Sequence, residues 1–306
     1  MREQAGFHRI TVVFHQGSGR GKGLSRASAL RSRLDPEAHH ITLLDITQSS
    51  PQNLHATLRS SDAVVVVGGD GLIHTVLPFL VDVGIPLGII PAGSGNDAWR
   101  MSGARSVEQS IERVVDFISG YGRIRLADLL QVIYARNPEE TKYVLGAVSC
   151  GFEALVNEKA NLLPRWLSAT RYVIALLISL PALGGRAIAL DSPEIQFHGK
   201  VFVASISNIR SLGGGIELFP QAADDDGLAD VLLIPETPLL RILPAVGKIL
   251  RGTAHRYQRT ARTPVVQVKF AGTSFGDGEP LGEGDFSVTV RPGSLTLMDL
   301  SFGDTH

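Results

Sequence analysis

The chain has 306 residues, of which 44% are hydrophobic and 19% are charged, and its formal net charge is −1. This composition is typical of a folded protein with one large domain or two ordinary ones, and the near-neutral charge excludes bulk electrostatic attraction to nucleic acid. The single cysteine, Cys150, excludes a disulfide framework and a cysteine-based metal cluster, and no apolar run approaches the roughly 20 residues that a membrane-spanning helix needs.

Residues 9–126 alternate segments typical of strands with segments typical of helices. The third strand contains only apolar residues, so we expect it to be buried on both faces. This alternation predicts a Rossmann-like, doubly wound parallel sheet, in which ligands bind at the carboxyl ends of the strands. The predicted strands are Ile10–Phe14, Ile41–Ile46, Ala63–Val67 and Leu87–Ile90, and the helix-like segments run up to Leu34, over Leu54–Arg59 and Leu72–Val83, onwards from Asn96 and over Val107–Ile118.

Glycine-rich turns follow the first, third and fourth of these strands, so all three lie at the edge where a ligand would bind. The second turn, Gly68–Gly71, permits positive φ angles and close approach of the backbone to phosphate. In the third, Pro91–Asp97, the residues Gly93-Ser94-Gly95 would form the opposite wall of the same site. Two such turns on consecutive strands predict one nucleotide with its phosphates held between them.

Three polar side chains within these turns have two readings each. Asp70 either stabilises its own turn or holds Mg²⁺ through water. Asn96 and Asp97 either cap the helix that follows or face the nucleotide, and capping by Asn96 is compatible with both. The residues alone leave these alternatives open.

The pattern changes after Asp128, where turn residues separate many short apolar segments. Such a series predicts an antiparallel β-sandwich domain. We place an α/β domain at residues 1–128 and a β-rich domain at residues 129–290, with the segment from about 291 to 306 returning to the first domain. The predicted strands are Leu129–Ala135, Tyr143–Ser149, Ala187–Leu190, Glu194–Phe197, Val201–Ser207, Leu228–Ile234, Val265–Phe270 and Phe286–Val290.

Two stretches of the second half are unusually apolar, Trp166–Leu183 and Leu239–Leu250. Either they are helices that face the core, or they form a surface that enters a membrane or clasps a lipid tail.

Five blocks, in this order along the chain, together resemble the diacylglycerol kinase catalytic family, which includes bacterial soluble lipid kinases and sphingosine kinases. Gly68-Gly69-Asp70-Gly71 matches the family's GGDG core, and Pro91–Arg100 is close to its pattern P-x-G-T-x-N-D-x-x-R. The other three are Gly17-Ser18-Gly19 after the first strand, the second-domain block from Asn208 through Gly213-Gly214-Gly215 to Asp225-Asp226-Gly227, and Asp277-Gly278-Glu279-Pro280.

The resemblance implies an ATP- and Mg²⁺-dependent lipid kinase with its active-site cleft between the two domains. The acceptor would be a lipid with a free hydroxyl, diacylglycerol by default. Glu279, in a glycine-rich loop, would take the hydroxyl proton, and Asp277 would contact the hydroxyl or the metal. The remaining residues implied are Ser18, Gly19, Gly68, Gly69, Asp70, Gly71, Gly93, Ser94, Asn96 and Asp97 for the nucleotide, and Asp128, Asp225 and Asp226 for metal.

The chain departs from the family pattern near the nucleotide. Leu72 stands where a threonine is usual after GGDG, His74 and Thr75 stand near the places of Asn and Glu, and Gly146 replaces an expected Asn. These departures leave open a non-catalytic lipid- or nucleotide-binding relative. An NAD kinase-like enzyme is also open, because that related family has GGDG after a strand as well. Since the first residues lack a signal-peptide core, we expect a cytoplasmic protein that contacts the membrane peripherally and binds no nucleic acid. A homodimer is also open.

Overall fold

The computed structural model describes residues 7–151, 184–238 and 256–301, together with the single residues 163, 174, 179, 241, 248 and 253. The chain divides into two compact units. Unit 1 comprises Met1–Ala127 and Gly293–His306, and unit 2 comprises Asp128–Pro292.

Unit 1 is built on parallel strands with helices between them. The strands are β1 (Arg9–Phe14), β2 (His40–Asp45), β3 (Ala63–Gly68) and β4 (Leu87–Pro91), in the spatial order β2-β1-β3-β4. The helices are α1 (Lys22–Ser32), α2 (Pro51–Arg59), α3 (Asp70–Val76), α4 (Asp97–Arg100) and α5 (Val107–Asp116).

Local sequence explains where several of these elements lie. Every residue of β3 is buried, as its unbroken apolar run predicts. Helix α2 begins where the Ser50 hydroxyl accepts the amide of Asn53, and α5 begins where the Ser106 hydroxyl accepts the amide of Gln109. The predicted helix over Leu72–Val83 is shorter than expected: α3 ends at Val76 and a 3₁₀ turn, Leu77–Phe79, follows, because Pro78 cannot continue the hydrogen-bonding ladder.

Unit 2 is antiparallel. Its strands are β5 (Ile124–Tyr134), β6 (Asn137–Val144), β7 (Ala147–Gly151), β8 (Arg186–Asp191), β9 (Gln196–Ser207), β10 (Ala229–Pro235), β11 (Arg259–Thr263), β12 (Val265–Phe270), β13 (Thr273–Gly276), β14 (Glu279–Glu283) and β15 (Phe286–Met298). The long strand β9 pairs with β7, β8 and β10. The first four residues of β5 belong to unit 1, and so does β15 from Gly293 onwards, where Leu297 pairs in parallel with Leu87 of β4.

The predicted fold class is confirmed: a parallel α/β domain comes first and an antiparallel, β-sandwich-like domain follows. Two strand predictions in unit 2 were wrong. The predicted strand Tyr143–Ser149 is divided by a bend at Leu145 and Gly146, and the predicted strands Glu194–Phe197 and Val201–Ser207 are one strand, β9. Strands β11, β13 and β14 were missed because they are short and rich in charged residues or glycine.

Both unusually apolar stretches fall almost entirely outside the described residues, so their two readings stay open. Within the described part of the chain, no helix combines the length and the hydropathy needed to cross a bilayer.

One carboxylate ties the starts of β1 and β3 together. Asp62 accepts hydrogen bonds from the backbone amides of His8 (3.2 Å) and Arg9 (2.8 Å) and from the Arg9 guanidinium (3.0 Å). The hydrogen-bonded Arg9 side chain holds the pKa of Asp62 below its usual value.

Asp62→Asn should therefore lower the melting temperature at neutral pH, by about 2 °C for a pair this exposed. A depressed carboxyl pKa stabilises the fold above the unfolded-state pKa of about 4, and that stabilisation is lost as the pH falls through the folded-state pKa. We therefore expect the difference between wild type and variant to shrink as the pH falls below about 4. Thermal unfolding followed across pH 3–7 measures this, and a difference that does not change with pH would contradict it.

Candidate functional site

Two of the glycine-rich turns in unit 1 touch each other through Ala92. The first turn contains a 3₁₀ segment, Ser18–Arg20, and the Ser18 hydroxyl donates to the carbonyl of Ala92 (3.3 Å). Gly19 has a φ of 57°, and a Cβ atom there would lie 2.3 Å from the same carbonyl oxygen. Only glycine satisfies both constraints, so Gly19 is what allows the turn after β1 to lie against the loop after β4.

The turns after β3 and β4 approach each other just as closely. A Cβ atom on Gly93 would lie 2.6 Å from the Cα atom of Gly69, and one on Gly69 would lie 3.0 Å from the Cα atom of Gly93. The amide of Ala92 also donates to the carbonyl of Gly68 (2.7 Å). The three predicted phosphate-binding turns therefore form one glycine-lined surface at the carboxyl edge of β1, β3 and β4. Such a surface fits a nucleotide phosphate, which backbone amides bind at close range.

The residue that caps α4 is Asp70 and not Asn96. Asn96 precedes α4 with a left-handed backbone (φ 57°), yet its side chain turns back, accepting from the amide of Gly93 (2.9 Å) and donating to the carbonyl of Gly93 (3.0 Å). The first turn of α4 is capped from another loop instead, where Asp70 Oδ1 accepts the amide of Ala98 (2.9 Å). Asp70 thus connects the GGDG turn to the loop after β4, a role that no local pattern indicates.

Two arginines support the loop after β4. Arg100 donates to the carbonyl of Gly95 (2.6 Å) and pairs with the carboxylate of Asp97 (3.0 Å), which is 8% exposed. Arg26 of α1 donates to the carbonyl of Pro91, and its burial lowers the pKa of the guanidinium, although Glu108 acts in the opposite direction. Sequence reasoning missed Arg26, because nothing within α1 shows that this residue reaches the end of β4.

Leu72 lies over the backbone of Gly68. A Cβ atom on Gly68 would lie 2.6 Å from Leu72 Cδ2 and 2.9 Å from Leu72 Cβ. The leucine that replaces the usual threonine therefore places an apolar side chain against the GGDG turn, where a hydroxyl would offer phosphate a hydrogen bond.

In unit 2, Asp277 lies in a tight turn and its carboxylate is fully engaged. Asp277 (φ 53°) and Gly278 (φ 87°) form the two-residue turn between β13 and β14, and two positive φ angles are typical of a type I′ hairpin turn. The carboxylate accepts the backbone amides of Leu145 (3.1 Å), Gly146 (2.8 Å) and Ala147 (3.1 Å). This side chain fastens the hairpin to the bend between β6 and β7.

Glu279 opens β14, paired with Gly276, and its side chain is exposed. The expectation of a glycine-rich loop around it was wrong, because the loop consists only of the two turn residues. Among the described residues, no hydrogen bond or ion pair of the Glu279 carboxylate is present. An exposed carboxylate at a rigid hairpin turn is chemically able to accept a proton from a bound hydroxyl.

Asp128, predicted as a metal ligand, is 2% exposed and is fastened to the acidic loop that follows β9. Its carboxylate accepts the amide of Gly227 (2.7 Å), and its amide donates to the carbonyl of Asp224 (2.6 Å).

The other two predicted metal ligands have different surroundings. Asp225 is exposed, whereas Asp226 pairs with Arg262 and accepts the amide of Leu228 (3.0 Å). Arg262 also contacts Asp230 (3.4 Å), whose pKa is raised by burial although the guanidinium acts to lower it. Within the described residues, no three His, Cys, Asp or Glu side chains lie close enough to hold a metal ion together. Mg²⁺ usually takes only one or two carboxylates, with water and phosphate completing its ligands, so a site of this kind needs no such group of three.

Two family models match the chain, one in each half. The model described as "Diacylglycerol kinase catalytic domain" matches residues 9–132, and the model described as "YegS C-terminal NAD kinase beta sandwich-like domain" matches residues 146–299.

Curated relatives match over most of the chain. A protein named "Diacylglycerol kinase" from Mycobacterium tuberculosis (strain ATCC 25618 / H37Rv) is 30% identical over 304 residues, covering 95% of this chain and 94% of its own length. One named "Probable lipid kinase YegS-like" from Pseudomonas savastanoi pv. phaseolicola is 28% identical over 242 residues, covering 76% of this chain and 74% of its own length.

Solved structures with lower identity share the fold. A structure described as a diacylglycerol kinase from Bacillus anthracis str. Sterne has a TM-score of 0.68 at 14% identity, over 96% of this chain and 97% of that chain. A yeast NADH kinase complexed with NADH has a TM-score of 0.54 at 13% identity, over 96% of this chain and 83% of that chain.

Proposed function

Because the chain belongs to the diacylglycerol kinase catalytic family, we propose that it is a lipid kinase that transfers the γ-phosphoryl group of ATP to a lipid hydroxyl, with diacylglycerol as the default acceptor. The observation that carries this proposal is the 30% identity to the mycobacterial diacylglycerol kinase over 95% of the chain. The five sequence blocks that resemble the family support it, since they occur in the expected order across both units.

In this proposal the glycine-lined surface of unit 1 binds the nucleotide. Gly68, Gly69 and Gly71 with Gly93 and Ser94 would surround the phosphates, and Ser18 and Gly19 would close the site from the turn after β1. Asp70, Asn96 and Asp97 would act by holding these loops in place. Asn96 bonds to Gly93, and Asp70 bonds to the first turn of α4. Asp97 pairs with Arg100, which donates to the carbonyl of Gly95. Pre-organised loops bind phosphate at a smaller entropic cost than loops that must order on binding.

In unit 2, Glu279 would accept the proton of the lipid hydroxyl, and Asp277 would hold the turn from which Glu279 projects. Bound with ATP, Mg²⁺ would neutralise charge on the phosphates, and Asp128 would help to hold it. Asp225 and Asp226 would hold a structural Mg²⁺ away from the γ-phosphate. A cleft between the two domains for the reaction remains part of this proposal. The proposal also includes a cytoplasmic location with peripheral membrane contact, since the acceptor lies in a bilayer. It includes a homodimer as well.

The test is transfer of label from [γ-³²P]ATP. Purified protein, Mg²⁺ and mixed vesicles of phosphatidylcholine and diacylglycerol should yield labelled phosphatidic acid, resolved by thin-layer chromatography. A parallel arm with NAD as acceptor tests the NAD kinase-like alternative. Label in NAD but not in lipid would overturn the proposal.

The structural observation that favours the non-catalytic alternative is the packing of Leu72 over Gly68, where family members usually have a hydroxyl. The two functions differ in a simple way: a non-catalytic relative would bind ATP or lipid and transfer no label to any acceptor. Isothermal titration of ATP beside the labelling assay separates them.

A further inference from the structure

The bend between β6 and β7 is held on both of its faces. Its amide groups, from Leu145, Gly146 and Ala147, point at the carboxylate of Asp277. The carbonyl groups of Leu145 and Gly146 point the other way, towards Asn208 at the end of β9. The carbonyl of Gly146 accepts the backbone amide of Asn208 (2.8 Å), and the carbonyl of Leu145 accepts the side-chain Nδ2 (3.3 Å).

The same Nδ2 atom of Asn208 also donates to the backbone carbonyl of Asp128 (2.8 Å). The Asn208 side chain therefore connects β5, which contains Asp128, to the bend between β6 and β7. That bend is in turn hydrogen-bonded to Asp277, in the hairpin turn before Glu279. Asn208 is fully buried, and Leu145 and Asp128 are 0% and 2% exposed, so water does not compete for these bonds.

The orientation of the Asn208 side-chain amide is fixed by its neighbours, and it leaves one buried oxygen without a hydrogen bond. Nδ2 faces two carbonyl oxygens, so rotating the amide by a half-turn would bring oxygen against oxygen. In the observed orientation, Oδ1 is buried with no hydrogen-bond partner in the described part of the chain. A buried acceptor without a donor is destabilising, and the two bonds made by Nδ2 are the compensation that the structure offers.

Gly146 completes this arrangement for a steric reason. A Cβ atom at this position would lie 2.5 Å from Asp277 Oδ1 and 3.0 Å from Ile209 Cδ1. Glycine at position 146, which departs from the family pattern, is therefore what lets the carboxylate reach the three amides of the bend.

From these contacts we propose that Asn208 is a positioning residue for phosphoryl transfer, acting on Glu279 through the bend and Asp277. The path consists of Asn208, the bend at Leu145–Ala147, the Asp277 carboxylate and the hairpin turn that leads into Glu279. The proposal rests on the proposed function in one respect, that Glu279 acts on the acceptor hydroxyl. Its structural part does not depend on any activity.

Two variants test the path at different points, and a third is the control. Asn208→Asp keeps the size of the side chain and its backbone bond but places an oxygen against the carbonyls of Asp128 and Leu145. Gly146→Ala disturbs the contact with Asp277. Ser205→Ala, on the same strand, removes a buried hydroxyl that is bonded to Ser149 (3.1 Å) outside the path.

Hydrogen exchange on the full chain is the readout that needs no activity. Asn208→Asp should make the amides of residues 145–147 and 277 exchange at least about tenfold faster, while the amides of β8 and β12 keep their wild-type rates. Unchanged exchange at the bend, or equal acceleration throughout unit 2 or in Ser205→Ala, would overturn the proposal.

Kinetics then show whether the path positions Glu279. Asn208→Asp and Gly146→Ala should each lower kcat about 10–100-fold with KM for ATP nearly unchanged, since a small misplacement of a reacting group has an effect of this size. The double variant should lose less than the product of the two single effects, because both act on one path. A rise in KM for ATP without loss of kcat, or independent effects, would overturn it. Failure of the wild type to transfer label would contradict the proposed function alone, because the exchange result stands apart from it.

Discussion

Glu279→Gln should abolish lipid phosphorylation while leaving ATP binding intact. Glutamine has nearly the same shape as glutamate but cannot accept the proton of the acceptor hydroxyl, and loss of a general base lowers kcat by about 10²–10⁴-fold. The Glu279 side chain is exposed, so the substitution should not disturb the packing of unit 2. Initial rates with [γ-³²P]ATP and diacylglycerol vesicles, beside titration calorimetry with ATP, measure both effects.

The matched control is Glu283→Gln at the other end of the same strand. Glu283 is also exposed, and its carboxylate accepts only the hydroxyl of Thr273 (3.2 Å) among the contacts in the described residues. The control should retain wild-type kcat. Equal rates for Glu279→Gln and wild type would remove Glu279 from the mechanism, and equal losses in the two variants would indicate a general effect of charge on this strand.

Gly93→Ala should weaken nucleotide binding without unfolding the protein. The added methyl group would lie 2.6 Å from the Cα atom of Gly69 and 3.0 Å from the Asn96 side-chain oxygen, so the turns after β3 and β4 must move apart. Overpacking of this kind costs about 1–3 kcal/mol. We expect this free energy to oppose the closing of the two turns around phosphate. Since about 1.4 kcal/mol corresponds to a factor of ten, the affinity for ATP should then fall about 5–150-fold.

A glycine with free space around it supplies the comparison for this prediction. A Cβ atom on Gly184 would meet nothing within 4 Å, so Gly184→Ala should bind ATP as wild type does. Calorimetric titration of ATP into both variants, with circular dichroism to confirm folding, decides the matter. Wild-type affinity in a folded Gly93→Ala protein would show that these turns do not form the nucleotide site.

The sequence predicted unit 1 more accurately than unit 2, because the local patterns that indicate strands and turns are stronger in unit 1. The run of valines in β3 and the glycine-rich turns after β1, β3 and β4 are local features that a parallel sheet requires. In unit 2, β13 and β14 are short strands joined by Asp277 and Gly278, and the D-G pair that marks such a hairpin was interpreted as part of a longer loop. A two-residue turn at this D-G pair places Glu279 at the start of a strand.

Gly146 shows where local reasoning ends. In sequence it is only a departure from a family pattern. In the structure its missing side chain makes room for the carboxylate of a residue 131 positions away. The same holds for Leu72, whose packing over Gly68 becomes apparent only once α3 is placed on β3.

By itself, the sequence determined the order of strands and helices, the change from parallel to antiparallel structure after Asp128, and the family, because periodicity, glycine turns and ordered motifs are written locally. Only the tertiary structure decided what the polar side chains hold: Asp70 caps a helix 28 residues away, Asp277 binds the bend at Gly146, and Asn208 connects that bend to Asp128. The physical reason is that a hydrogen bond needs two atoms within about 3 Å, and separation along the chain carries no information about that distance until the strands have paired.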